Sequence, residues 1–218
     1  MSRKLLLLCG LMSSIVYLAM DVLGSRAWEG YSYVDQTVSE LAALDAPSRP
    51  VAVPLAMVYN LLLIAFAAGV ATSVARARDL RFAAAALAGI GIIGMISPFF
   101  PIQMRGAPSW TINETLHITL TAVTVVLIIV AMGLGAQAGG PRFFVYSMAS
   151  IAVTLLAGTI AAMNGPNLAA NRPTPWMGVM ERISIFAYLA WVAALAVVLM
   201  PAPRASMPLY LRGHHAGH

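Results

Sequence analysis

Six stretches of about 20 apolar residues constrain this chain more than any other feature. They lie at about 5–23, 52–75, 82–98, 115–136, 143–163 and 179–200. A helix of ~20 residues spans the ~30 Å hydrocarbon core of a bilayer. The rest of the composition agrees. Only 10% of the residues are charged and 60% are hydrophobic, whereas soluble domains are about a quarter charged. The expectation is one integral membrane domain over residues 1–218, with no separate soluble domain. Its fold class is all-α: a six-transmembrane-helix bundle, with a short amphipathic helix in the first outer loop.

The formal charge of +5 does not point to nucleic acid, because the basic residues sit at span ends rather than on one face. They report orientation instead. With the N-terminus in the cytoplasm, the inside receives Arg3, Lys4, Arg76, Arg78, Arg81, Arg142, Arg204 and Arg212, and the outside Arg26, Arg49, Arg105, Arg172 and Arg182. The inner excess in short loops and tails places both termini on the cytoplasmic side of the membrane. The single cysteine, Cys9, falls within the first span, so no disulfide framework is expected. Leu8 occupies the position before Cys9 where a lipoprotein site needs a small residue. The first apolar stretch exceeds a signal-peptide core and ends near Asp21, which suggests a retained helix. The His-rich tail GHHAGH is left out of the fold reading.

In this orientation the inner connections are short, at 76–81 and 135–142. The outer ones are long, at 24–50, 99–113 and 164–178, and long loops over a rigid scaffold are where function tends to sit. Within the first, Thr37-Val38-Ser39-Glu40 has the spacing of a capping box, in which Thr37 caps the helix and Glu40 reaches back. Val34, Val38, Leu41 and Leu44 follow helical spacing, and Pro47 and Pro50 would end the helix. It is expected to lie across the outer end of the bundle, with Gln36, Ser39 and Glu40 toward its polar side. An interfacial anchor is its simplest role.

Gly89-Ile90-Gly91-Ile92-Ile93-Gly94 is formally GxGxxG, but no strand precedes it and no βαβ unit surrounds it. In a membrane helix these glycines let neighbouring backbones approach closely, and Asn60 reads as interhelical glue. A weak internal repeat relates Arg105, Pro108, Trp110 and Glu114 to Arg172, Pro175, Trp176 and Glu181.

Ionisable residues in or near a bilayer are costly and often functional. Here they are Asp21, Glu114, His117, Glu181 and Arg182. Glu114, His117, Thr121 and Thr124 form a polar stripe on the fourth span, and Glu181, Ser184, Tyr188 and Trp191 repeat the same intervals on the sixth. Facing each other, the stripes would line a cavity opening outward. The same residues have a structural reading. Glutamates near helix N-termini are favoured by the macrodipole, and hydroxyls in membrane helices often bond backbone carbonyls. A metal site from Glu114, His117, Glu181 and Asp21 is disfavoured, since His117 is the one histidine outside the tail. Bis-histidine haem fails on the same count. A triad from Ser39, His117 and Glu40 or Glu181 lacks a GxSxG elbow. No cofactor is expected.

At these residues the sequence resembles a bacterial membrane family catalogued as domain of unknown function 998. The resemblance rests on Tyr31 and Gln36-Thr37-Val38-Ser39-Glu40-Leu41, on Phe99-Phe100-Pro101-Ile102-Gln103-Met104-Arg105-Gly106, on Asn113-Glu114-Thr115-Leu116-His117 and on Glu181-Arg182-Ile183-Ser184. It implies a multi-helix membrane protein, supplies no reaction, and suggests that His117 and Glu181 are family features. Relatives carry a histidine near the segment 101–105, where this chain has Gln103.

The leading expectation is an outer-face pocket for a lipid or other amphiphile. Ser39, Glu40, Arg105, Arg182, Ser184 and Tyr188 would contact the ligand, with Arg105 or Arg182 on an anionic head group. If chemistry occurs, His117 carries the proton and Glu114 or Glu181 orients it. The alternatives are a non-catalytic partner or sensor subunit, and a transporter component. The latter is disfavoured because the charges lie at the outer edge rather than at mid-membrane.

Overall fold

The computed structural model describes residues 2–73, 78–107 and 111–200. Arg76, Pro108, Trp110, Arg204, Arg212 and the His-rich tail, all used above, lie outside the described residues. Among those described, the chain is helical and has no strand. The helices are α1 (Arg3–Arg26), α2 (Arg49–Ser73), α3 (Arg78–Ile96), α4 (Ile112–Gly135), α5 (Gly140–Ala162), a short α6 (Gly165–Ala169) and α7 (Met177–Leu199).

Five continuous helical stretches among the described residues are long and apolar enough to cross a membrane. The sequence had counted six. The difference arises at residues 136–139, where a polar connection was expected. The chain there keeps a 3-10 turn, so α4, α5 and α6 run together as one stretch, Ile112–Ala169. At 58 residues a straight helix would be about 87 Å long, roughly three hydrocarbon cores. Gly140 breaks it, with φ of +75°.

Neighbours in sequence pack side by side: α1 on α2, α2 on α3, α3 on α4, and α5 on α7, which returns to α1. The helices therefore form a ring, and its weak link is α4 against α5, where contact is slight. No residue from 115 to 130 is buried. Apart from Glu114, the buried positions of α4 are Ala131, Met132 and Gly135, all at the turn end. Beyond Phe143, the buried face of α5, Ser147, Ser150, Thr154, Ala157 and Ala161, is made of small residues. Small residues permit close helix approach, and here the partner is α7. Leu7, Leu63, Phe66, Leu87, Trp191 and Leu195 centre the main core.

Arg3 ties one end of the bundle together, donating to Ser73 Oγ at 3.0 Å and to the Leu199 carbonyl at 3.0 Å. The turn at 136–139 belongs to this end, since Gly139 abuts Val198. The opposite end carries the three long connections.

The helix expected over the first connection is shorter and tighter than the spacing suggested. It is a five-residue 3-10 turn, Val38–Ala42, with both bonds of the Thr37–Glu40 capping box in place. Val38 and Leu41 are buried with Met20 and Ala52 beneath it, whereas Val34 and Leu44 stay exposed. Pro50 does not stop this turn but sits in the first turn of α2, where its missing N–H costs nothing.

Candidate functional site

The long connections are fastened to the helices by two charged clasps. The first joins α1 to α7. Asp21 is 0% and Arg182 2% exposed. Two buried charges cost several kcal/mol each unless paired and fully hydrogen-bonded, and both conditions hold. Arg182 Nε and Nη2 lie 3.1 and 2.9 Å from the Asp21 carboxylate. Nη1 donates to the carbonyls of Tyr33, Gln36 and Gly178, and Nη2 also reaches Tyr31 Oη at 2.7 Å. The Tyr33 ring lies 3.6 Å from the guanidinium, and its hydroxyl donates to Asp21 at 2.6 Å. Burial holds the Tyr31 phenol well above its ordinary value, against the pull of Arg182 toward the phenolate. Burial raises Tyr33 as well, and its bond to Asp21 adds to that.

The second clasp joins the first connection to the second. Glu40, expected on the polar side of the loop helix, is 2% exposed. It turns inward because a cation waits there. Arg105 Nε and Nη2 lie 2.5 and 2.9 Å from its two oxygens. The remaining Glu40 lone pairs accept from Thr37 N–H, Thr37 Oγ1 and Gln36 Nε2. Arg105 also donates to Thr174 Oγ1 and to the Asp35 carbonyl, each at 2.9 Å, which brings in the third connection. Glu40 holds the Arg105 pKa above its ordinary value, more than burial lowers it.

The two glutamates considered for catalysis each hold backbone. Glu114 accepts from Gln103 N–H at 2.9 Å and from Thr111 N–H at 2.8 Å, with Thr111 Oγ1 also donating to it. This is a second capping box. Its Thr-x-x-Glu spacing is that of Thr37–Glu40, so the same rule would have found it. Glu181 accepts from Val38 N–H at 2.5 Å. His117 is half-buried, and its Nδ1 donates to the Phe100 carbonyl at 3.3 Å. The three candidate catalytic groups thus attach to different connections: Glu114 and His117 to the second, Glu181 to the first.

The two polar stripes do not pair with each other. That of α7 turns to α5, where Ser184 Oγ donates to the Thr154 carbonyl at 2.9 Å and Trp191 Nε1 to Ser147 Oγ at 2.9 Å. On α4, Thr121 donates to the His117 carbonyl of its own helix and is exposed. Tyr188 is 3% exposed and its hydroxyl is set against that of Tyr59. Ser39 is half-buried and makes no side-chain hydrogen bond among them. The apparent repeat also does different work in its two copies. Arg105 is clasped to Glu40, while Arg172 is exposed. Among the described residues, no three His, Cys, Asp or Glu side chains come together to hold a metal.

Two adjoining depressions open at this end. One, of about 310 Å³, is lined by Ser32, Asp35, Gln36, Arg105, Pro173, Thr174 and Pro175. The other, of about 360 Å³, is lined by Arg105, Gly106, Leu168, Asn171, Arg172 and Pro173. The second lies between the segment that leads into α4 and the segment that follows α5. These are pinned to each other by Asn171 Oδ1, which accepts from Gly106 N–H at 2.8 Å. Sequence reading missed Asp35, Asn171 and Arg172 as members of this region, since polar loop residues carry no periodic signal.

The family model described as "Protein of unknown function (DUF998)" matches residues 11–198. The chain belongs to the DUF998 family. No curated protein and no solved structure matches it. The DUF998 match takes in both clasps, both depressions and nearly all of the helices from α1 to α7.

Proposed function

We propose that this chain is a six-crossing membrane protein that holds an amphiphile in the seam between α4 and α5, with the polar group at the capped mouth. One observation carries the reading. Among consecutive membrane-length helices the ring is weakly closed at α4/α5, and a polar depression lined by Arg105, Asn171 and Arg172 lies between the segment that leads into α4 and the segment that follows α5. A cleft with apolar walls and a few polar groups at one end suits a molecule with one apolar and one polar end.

The connections support six crossings. The segment before α4 and the segment after α5 meet through Asn171 and Gly106, and the turn between the two helices lies at the Arg3 end. Each of the two helices then crosses once. Both termini are on the cytoplasmic side. The opposite end carries five arginines, Arg26, Arg49, Arg105, Arg172 and Arg182, against the eight basic residues that the sequence assigns to the Arg3 end, and that excess supports the orientation.

The proposal is of binding rather than of a reaction. Glu114 and Glu181 spend their carboxylates on backbone N–H groups, and all five donors of Arg182 are engaged internally. Of the residues first considered for ligand contact, Arg105 is the one that lines both depressions.

The test is native mass spectrometry of protein extracted in a mild detergent. The expected result is a lipid-sized adduct, lost on delipidation and regained from total membrane lipid. A bare mass that stays bare when lipid is returned would sink the proposal and favour a partner-subunit role.

A further inference from the structure

The two depressions differ in charge, and the difference narrows the ligand class. The inference rests on the amphiphile reading above. The depression over the seam is basic: Arg172 is exposed, its side chain makes no hydrogen bond among the described residues, and Arg105 keeps one Nη1 hydrogen after its other bonds are made. The neighbouring depression sets one carboxylate, that of Asp35, near the shared Arg105. Asp35 is half-buried, its carboxylate accepts one bond from Ser32 Oγ and one from Trp176 N–H, and it has no ion-pair partner among the described residues. Arg105 and Pro173 line both, so the two are continuous. Across the whole mouth, Arg105 and Arg172 are balanced by Glu40 and Asp35.

We infer that the mouth takes a zwitterionic head group, with a phosphate at Arg172 and Arg105 and a primary ammonium at Asp35. A purely anionic group would meet Arg172 but leave the Asp35 carboxylate facing like charge. A quaternary ammonium would bring charge to Asp35 without an N–H to donate, and charge-assisted hydrogen bonds are the stronger kind.

The probes are phosphatidylethanolamine, phosphatidylcholine and phosphatidylglycerol with identical acyl chains. They are offered in equal amounts in micelles to the delipidated protein, and the adducts are read by native mass spectrometry. The ethanolamine lipid is expected to exceed each of the others on the order of fivefold. Asp35→Asn keeps an acceptor for Trp176 and should bring it down to the level of the choline lipid. Arg172→Gln, at a side chain bonded to nothing described, should lower all three. Binding of the ethanolamine lipid no stronger than that of either other lipid to the wild-type chain, or an order unchanged by Asp35→Asn, overturns the zwitterion while leaving the amphiphile reading in place. Binding from total lipid but from none of the three also overturns it. Binding from neither overturns both.

Discussion

Arg182 shows what a single charge demands of its surroundings at the edge of a bilayer. At 2% exposure it is tolerable because every donor is met: Asp21 by two bonds, three carbonyls, and the Tyr31 hydroxyl. Removing one partner of such a pair leaves the other charge buried and alone, which typically costs about 3–5 kcal/mol. Replacing both with uncharged groups costs much less. Asp21→Asn and Arg182→Met should therefore each lower the thermal midpoint of the detergent-purified protein sharply. The double variant should be more stable than either single one. A double variant no better than the worse single would mean the pair is not energetically coupled. The Glu40–Arg105 clasp should respond less. The Arg105 side chain is 29% exposed, and exposed pairs contribute about 0–1 kcal/mol. Neither pairing was legible beforehand. Asp21 and Arg182 stood out as lone charges at similar depth, but nothing in the sequence couples residues 161 positions apart.

At the scale of elements, two kinds of signal proved readable. One is the apolar run of membrane length. The other is a local rule in which both partners lie within one turn, as in Thr37 and Glu40. The glycine run on α3 belongs between these, because its spacing suggested contact without naming the neighbour. The neighbours are now clear. Gly89 faces Leu127 of α4, Gly91 meets Ile64 and the Asn60 backbone of α2, and a methyl on Gly94 would overlap the Asn60 amide. Asn60 itself bonds back to the Ala56 carbonyl at 2.8 Å, so its side chain is not free to move aside. Gly94→Ala should then force α2 and α3 apart, at about 1–3 kcal/mol for overpacking. Asn60→Ala in the same chain should recover much of the loss, since it removes the obstructing group. Denaturant titration in detergent measures both, and a Gly94→Ala protein as stable as the wild type would refute the close contact. What stayed illegible was the exact form of the connections. A capping box announces a helix start but not whether the turn is α or 3-10. The junction at 136–139 looked like a loop because Gly and Gln cluster there, yet the backbone keeps turning.

For the whole molecule, the arrangement of connections and charges makes one claim that a labelling experiment can decide. If α4 and α5 each cross, the turn at 136–139 lies across the membrane from residue 172. If the arginine asymmetry sets orientation, that turn is cytoplasmic. Gln137 and Arg172 are both exposed, so a cysteine at either will not disturb packing. Cys9 is the one native cysteine and can be replaced by Ala in the background, since its thiol bonds only the Leu5 carbonyl of its own helix. In intact cells a membrane-impermeant maleimide should label Arg172→Cys and not Gln137→Cys, and permeabilisation should expose the latter. Labelling of both in intact cells would mean that the pair does not cross, which removes the seam and any ligand in it. Labelling of Gln137→Cys alone would keep six crossings but invert the chain, placing the two clasps and the two depressions at the cytoplasmic leaflet. The seam would survive that inversion, because its geometry depends on which helices touch and not on which side faces the cell. The leaflet that supplies its ligand would change.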